Sequence, residues 1–126
     1  MRTVAEQNEM ESVLAPRSYL HACLLLLLGE SPGHGYDLGE ALSALGLHIS
    51  DSGRVYRALR LMEEEGLVVS WWDEAIRGPA RRMYHLTDEG AARLEACAGL
   101  VFDSWRHLSG YLERWSRLGG GLPRSA

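Results

Sequence analysis

All 13 basic residues of this 126-residue chain are arginine; lysine does not occur. An arginine guanidinium is a planar fork of donors that matches phosphate oxygens and base edges two at a time, whereas lysine offers a point charge. Arg54, Arg57 and Arg60 recur every third residue in a stretch, 53–62, without any acid. Arg77, Arg81 and Arg82 form a second cluster, again with no acid between 77 and 82. Ser50, Ser52 and Gly53 precede the first cluster. They are small enough to let backbone N–H groups approach a phosphate, and Tyr56 adds a hydroxyl beside Arg57. The net charge of the whole chain is −4. A polyanion must therefore be met by these local basic faces, because the overall field repels it.

Other chemistries find little support. No nucleophile elbow of the G-x-S-x-G kind is expected, and a phosphate-binding P-loop is excluded because its lysine is missing. The five histidines, His21, His34, His48, His85 and His107, form no H-x-x-x-H pair. His21 reads as a core or interface residue and His34 as a turn or cap residue. Cys23 and Cys97 lie in apolar runs without a C-x-x-C, so neither a disulfide framework nor a zinc site is expected. No enzyme activity, metal or cofactor is anticipated.

Positioning these arginines requires a folded scaffold, and the composition provides one. Hydrophobic residues make up 46% and charged residues 24%, as in a soluble globular domain. The length suits one domain, able to bury roughly two thirds of its unfolded surface. The longest apolar run, Ala22 to Leu28, is too short to span a bilayer. The polar, acidic stretch Met1 to Glu11 does not resemble a signal peptide. A cytoplasmic protein that makes no membrane contact is the expectation.

Residues 1–15 lack sustained periodicity and read as a flexible tail. Pro16 suits the first turn of a helix. From Ser18 to Leu28 that helix is apolar nearly all round, which predicts burial on every side; Gly29 to Gly33 stops it. A second helix is predicted over Gly35 to Leu45, with Tyr36, Leu38, Ala41, Leu42 and Leu45 as its apolar set and Gly46 as its left-handed cap. Ser50 is the expected N-cap of a third helix. There Val55, Leu59 and Met62 share one stripe, and Arg54, Arg57 and Arg60 lie opposite. Gly66 ends it. A strand over Leu67 to Trp72, a loop over Asp73 to Pro79 and a strand over Arg81 to Leu86 read as a hairpin. Neighbouring side chains alternate faces in a strand, so Arg81 and Arg82 point opposite ways, one toward phosphate and the other toward an acid such as Glu74.

Thr87 caps a long helix with Asp88 and Glu89 in its first turn, and Gly119-Gly120-Gly121 stops it. Leu94, Ala98, Val101, Trp105, Leu108, Leu112 and Trp115 are spaced 4, 3, 4, 3, 4, 3 along it. That is a coiled-coil seam. Such a helix extends roughly 45 Å at 1.5 Å per residue, longer than a small domain needs, so the seam is expected to hold a second copy of the chain.

The order is three helices, a hairpin and a long final helix: a mainly α fold with a small β-hairpin, the winged helix-turn-helix plus a C-terminal dimerisation helix. The expected organisation is a winged helix-turn-helix domain over 16–86, a dimerisation helix over 87–118 and a flexible tail over 119–126. In that architecture the third helix enters the major groove of double-stranded DNA and the wing touches flanking backbone. Ser50, Ser52, Gly53, Tyr56, Arg57, Arg60, Arg77, Arg81 and Arg82 are then the candidate DNA contacts. A winged helix that binds a protein or small effector and not DNA is the competing reading, suggested by Glu63-Glu64-Glu65 and the net negative charge.

Three stretches, His34 to Leu38, Gly53 to Val68 and Arg81 to Gly90, resemble the PadR family of transcriptional regulators. The resemblance covers residues 18 to about 115, and the single C-terminal helix is similar to the family's short subgroup. It implies a homodimeric, usually repressing, DNA-binding protein. Some relatives hold planar aromatic ligands between subunits against a tryptophan of the C-terminal helix. Phe102-Asp103-Ser104-Trp105 is similar to that place. The resemblance thus implies an effector site at Trp105 and Val101 for an aromatic, hydrophobic or nucleotide-like molecule. The chain departs from the family in having no lysine and in carrying Trp71-Trp72 at the base of the wing.

Overall fold

The computed structural model describes residues 16–74, 78 and 80–121. The expected N-terminal tail, 1–15, and the last five residues of the C-terminal tail lie outside them. The first described helix, α1, spans Pro16–Glu30. Leu20, Cys23, Leu24, Leu25 and Leu28 are buried, but Leu26 is 42% exposed. Among the described residues the all-round apolar helix is therefore not buried all round: the Leu26 side is left uncovered.

After α1 the chain forms a two-residue strand, β1 (Gly33–His34), and a short helix, α2 (Gly35–Ala41). A 3-10 turn over Leu42–Leu45 follows and ends at Gly46, whose φ of 87° is the left-handed conformation expected there. Leu38 and Leu42 are buried, whereas Tyr36 is 62% exposed and does not belong to the core set. The strand β1 was not legible in the sequence: two residues show no alternation, and Ser-Pro-Gly reads as a turn.

The third helix, α3, spans Ser52–Glu64, and its N-cap is Asp51, not Ser50: the Asp51 carboxylate accepts from the Gly53 N–H at 2.9 Å. A carboxylate there also complements the helix dipole. Val55, Ala58, Leu59 and Met62 are buried. At the C-terminal end Gly66 takes φ 79°, and the Leu67 N–H donates to Met62 O at 2.9 Å. Leu67 thereby closes the helix end. The strand β2 therefore runs Val68–Asp73, one residue later than the alternation predicts.

The strand β3 (Arg81–Leu86) pairs antiparallel with both neighbours, giving a three-stranded sheet in the order β1-β3-β2. Its register sets Trp72 opposite Arg82 and Asp73 opposite Arg81 on one side, and His34 opposite Met83 on the other. His34 is 8% exposed. Its ring nitrogens lie 3.4 Å from Asp37 Oδ2 and 3.3 Å from Asp73 Oδ2, which ties α2 to the end of the wing. It thus fills the predicted position ahead of a helix and is also a strand residue.

The final helix, α4, spans Asp88–Arg117. Thr87 caps it: its hydroxyl oxygen accepts from the Gly90 N–H at 3.0 Å and donates to Gly66 O at 2.7 Å. A Cβ on Gly90 would come within 2.1 Å of Leu67 O, so only glycine permits this crossing of α4 over the start of β2. Leu94 and Cys97 pack on the core formed by α1, α3 and the sheet. Beyond them α4 leaves the body, and Leu100, Val101, Phe102, Trp105, Leu108, Tyr111, Leu112 and Trp115 are all exposed. Both cysteines are free, and burial pushes both thiols up. Among the described residues no helix is long and apolar enough to cross a membrane.

Candidate nucleic-acid interface

The helical period sorts α3 into two faces. Val55, Leu59 and Met62 face the core, and Arg54, Arg57 and Arg60 are exposed. Burying three such apolar side chains contributes on the order of 1.5–3 kcal/mol each, so the core fixes the rotation of the helix and thereby the direction of its arginines. Ser50 and Ser52 are exposed at the helix start, and Gly53 is half-buried. The ring of Tyr56 lies against Gly35, where a Cβ would stand 2.4 Å from Cε1. The α2 backbone thus braces Tyr56 beside Arg57.

Arg57 is not free at the surface. Its Nη2 donates to Asp51 Oδ2 at 3.2 Å. A Cβ on Gly53 would meet Arg57 Nη1 at 2.7 Å, so the missing side chain makes room for the guanidinium across the first turn. The Arg57 hydrogen bond, and after it the Gly53 N–H, hold the Asp51 carboxyl below its ordinary value. The charge along 53–62 is thus partly countered by an acid just outside that window. Asp51 and Arg57 are six positions apart, beyond the i, i+3 and i, i+4 spacings at which helical pairs are recognised.

The two wing arginines have different environments, as strand alternation requires. Arg81 is exposed, opposite Asp73. Arg82 is half-buried; its Nε donates to Ser70 Oγ at 2.8 Å, and its guanidinium carbon stands 5.2 Å from the centroid of the Trp72 ring. The Ser70 hydroxyl in turn donates to the Glu63 carboxylate on the last turn of α3. The acid engaged through Arg82 is therefore Glu63, by way of Ser70, and not Glu74. Tyr84 lies on the same face of the sheet and is buried, which pushes its phenol up. Arg77 lies outside the described residues. Ser70 and Glu63 give no sign of this role in the sequence, because a hydroxyl bridge between a helix and a hairpin leaves no periodic signal; Trp72 stands out there only as a departure from the family.

On α4, Val101, Trp105, Leu108 and Leu112 present an exposed apolar stripe, while Ala98 is exposed and Leu94 packs inward. Phe102 stands beside Trp105, with ring centroids 5.9 Å apart. Trp115 turns to the helix end, where its Nε1 donates to Gly121 O at 2.9 Å.

Gly29-Glu30-Ser31-Pro32-Gly33 does carry the letters of a G-x-S-x-G elbow, contrary to the sequence expectation. It leads from a helix into a strand, however, the reverse of the strand-to-helix turn that such chemistry needs. Among the described residues no group of three or more His, Cys, Asp or Glu side chains could hold a metal ion.

The family model of the PadR-like transcriptional regulators matches residues 24–96. No curated protein matches the chain. Several solved structures are similar. A conserved protein described as a potential transcriptional factor is 32% identical, with 82% of this chain and 94% of that chain covered and a TM-score of 0.71. A PadR-like transcriptional regulator from Bacillus cereus is 28% identical, with 81% and 93% covered and a TM-score of 0.60. Bacillus subtilis PadR, solved in complex with operator DNA, is 26% identical, with 62% of this chain and 45% of that chain covered and a TM-score of 0.55.

Proposed function

The chain belongs to the PadR-like family of transcriptional regulators, a family of DNA-binding proteins and not of enzymes, and from that premise we propose that it acts as a homodimeric repressor on a palindromic operator. The observation that carries this reading is the exposed row Arg54, Arg57 and Arg60, opposite the buried stripe of α3. In a winged helix that face enters the major groove, and the wing, through one of Arg81 and Arg82, meets the flanking phosphates. That the Bacillus subtilis relative was solved in complex with operator DNA supports DNA as the partner. Two copies join along Ala98, Val101, Trp105, Leu108, Leu112 and Trp115, with Leu94 at the base of the seam, and an aromatic, hydrophobic or nucleotide-like effector sits between them against Trp105 and Val101.

Fluorescence anisotropy with a labelled DNA duplex at increasing salt tests the reading. Binding through arginine–phosphate contacts weakens steeply, with a log–log slope of about −0.9 for each phosphate neutralised. Absence of salt-sensitive binding would leave the chain a winged helix that engages proteins or small effectors instead.

A further inference from the structure

We propose that Ser70, Trp72 and Glu63 are positioning residues that fix Arg82 so that its two η nitrogens meet a DNA phosphate beside the wing. This rests on the DNA-binding reading and adds to it the device that aims the contact. A guanidinium has three kinds of nitrogen, and Arg82 has committed one: Nε donates to Ser70 Oγ at 2.8 Å. Its guanidinium carbon stands over the ring of Trp72, the residue directly opposite it across the β2–β3 ladder, 5.2 Å from the centroid. With Nε anchored and the cation held over the Trp72 ring, the side chain has little rotamer freedom left to lose on binding. The two η nitrogens have no acceptor among the described residues, and they are the pair that grips a phosphate in bidentate fashion.

The rest of the arrangement fits this role. Trp72 is 58% exposed, so its ring is not placed there by the core. Ser70 both accepts from Arg82 and donates to Glu63, so a neutral hydroxyl separates the carboxylate from the guanidinium. Glu63 thereby orients the chain of hydrogen bonds without taking the η nitrogens that a direct ion pair would consume. Because Glu63 belongs to α3 and Ser70 to β2, the same chain of contacts sets the wing against the helix that carries Arg57 and Arg60.

The test uses the full-length protein and a mixed-sequence DNA duplex, since phosphate contacts are independent of sequence. Arg82→Gln should lower the salt slope by about 1 per subunit. Trp72→Leu and Ser70→Ala should each weaken binding about fivefold in the Arg82 protein and have no effect in combination with Arg82→Gln, as for residues that act through one another. Trp72→Phe, which keeps a ring face, should restore most of the affinity, and it also carries the test should Trp72→Leu fail to fold. Equal losses with and without Arg82→Gln, or no loss at all, would overturn the positioning role while DNA binding stands. If the wild-type protein shows no salt-dependent binding, the DNA reading fails first and this inference with it.

Discussion

Arg57 shows how far a single residue can be read from sequence. Its exposure was legible, because Val55, Leu59 and Met62 dictate one buried face of α3 and a period of 3.6 leaves Arg57 on the other. Its partner was not, because Asp51 reaches it from beyond the helix start at a spacing with no regular meaning. The pair has a pH consequence. Arg57 and the Gly53 N–H hold the Asp51 carboxyl lower in the folded chain than in the unfolded one. Such a group stabilises the fold fully above its unfolded value, about 3.9, and loses that contribution as pH falls through the lower, folded value. Asp51→Asn keeps a capable N-cap but removes the ion pair. Its melting temperature should therefore lie slightly below wild type at pH 7, with the gap closing as the pH is taken below the folded value; thermal melts over a pH series measure this. The same variant should bind mixed-sequence DNA more tightly, because a negative charge has left the groove-facing end of the helix and Arg57 is released. Unchanged or weaker binding would mean that Asp51 holds Arg57 in its DNA-reading pose.

At the scale of elements, the signals that survived are those written into backbone chemistry. Gly46 and Gly66 end their helices in the left-handed conformation, and Thr87 caps α4 with Asp88 and Glu89 in its first turn. The hairpin follows two β-rich runs around a Gly-Pro loop. What depends on neighbours is not written there: β1 exists because β3 offers it an edge, and Leu26 is exposed because none of the other described elements covers it. The seam of α4 combines both kinds of reading, a heptad spacing legible in sequence and a row of exposed apolar groups in the single chain. Apolar stripes of that length are seldom left in water. Val101→Glu combined with Leu108→Glu would bury like charges in the seam of a dimer. The dissociation constant should rise at least about a hundredfold, at 1.4 kcal/mol per tenfold, and sedimentation velocity should show monomers with helix content intact. A double variant that remains dimeric would place the interface on another face.

At the scale of the whole molecule, a net charge of −4 and a DNA-binding role are compatible only if the basic groups are gathered on one side. Arg54, Arg57 and Arg60, exposed together on α3, are one such local group, and the proposed wing contact adds a second beside it. In a dimer held by α4, the two α3 helices hang from one joint, and their separation must match half-sites about 34 Å apart. Any ligand that changes the angle between subunits changes that separation, and it shifts the equilibrium only by the difference in its affinity for the two arrangements. The effector site proposed at Trp105 is placed to do this. Trp105 is 61% exposed on the seam, with Phe102 beside it, and a wide ring fits poorly into a two-stranded coiled-coil core built for branched aliphatics. A planar aromatic compound stacked there should quench tryptophan fluorescence and change the affinity for DNA together, with the same midpoint. Trp105→Phe retains an apolar ring but narrows the platform, so it should weaken ligand binding and blunt the DNA response while leaving ligand-free DNA binding near wild type. If the variant releases DNA on adding ligand as readily as wild type does, Trp105 serves only to pack the two helices together, and the ligand acts from elsewhere.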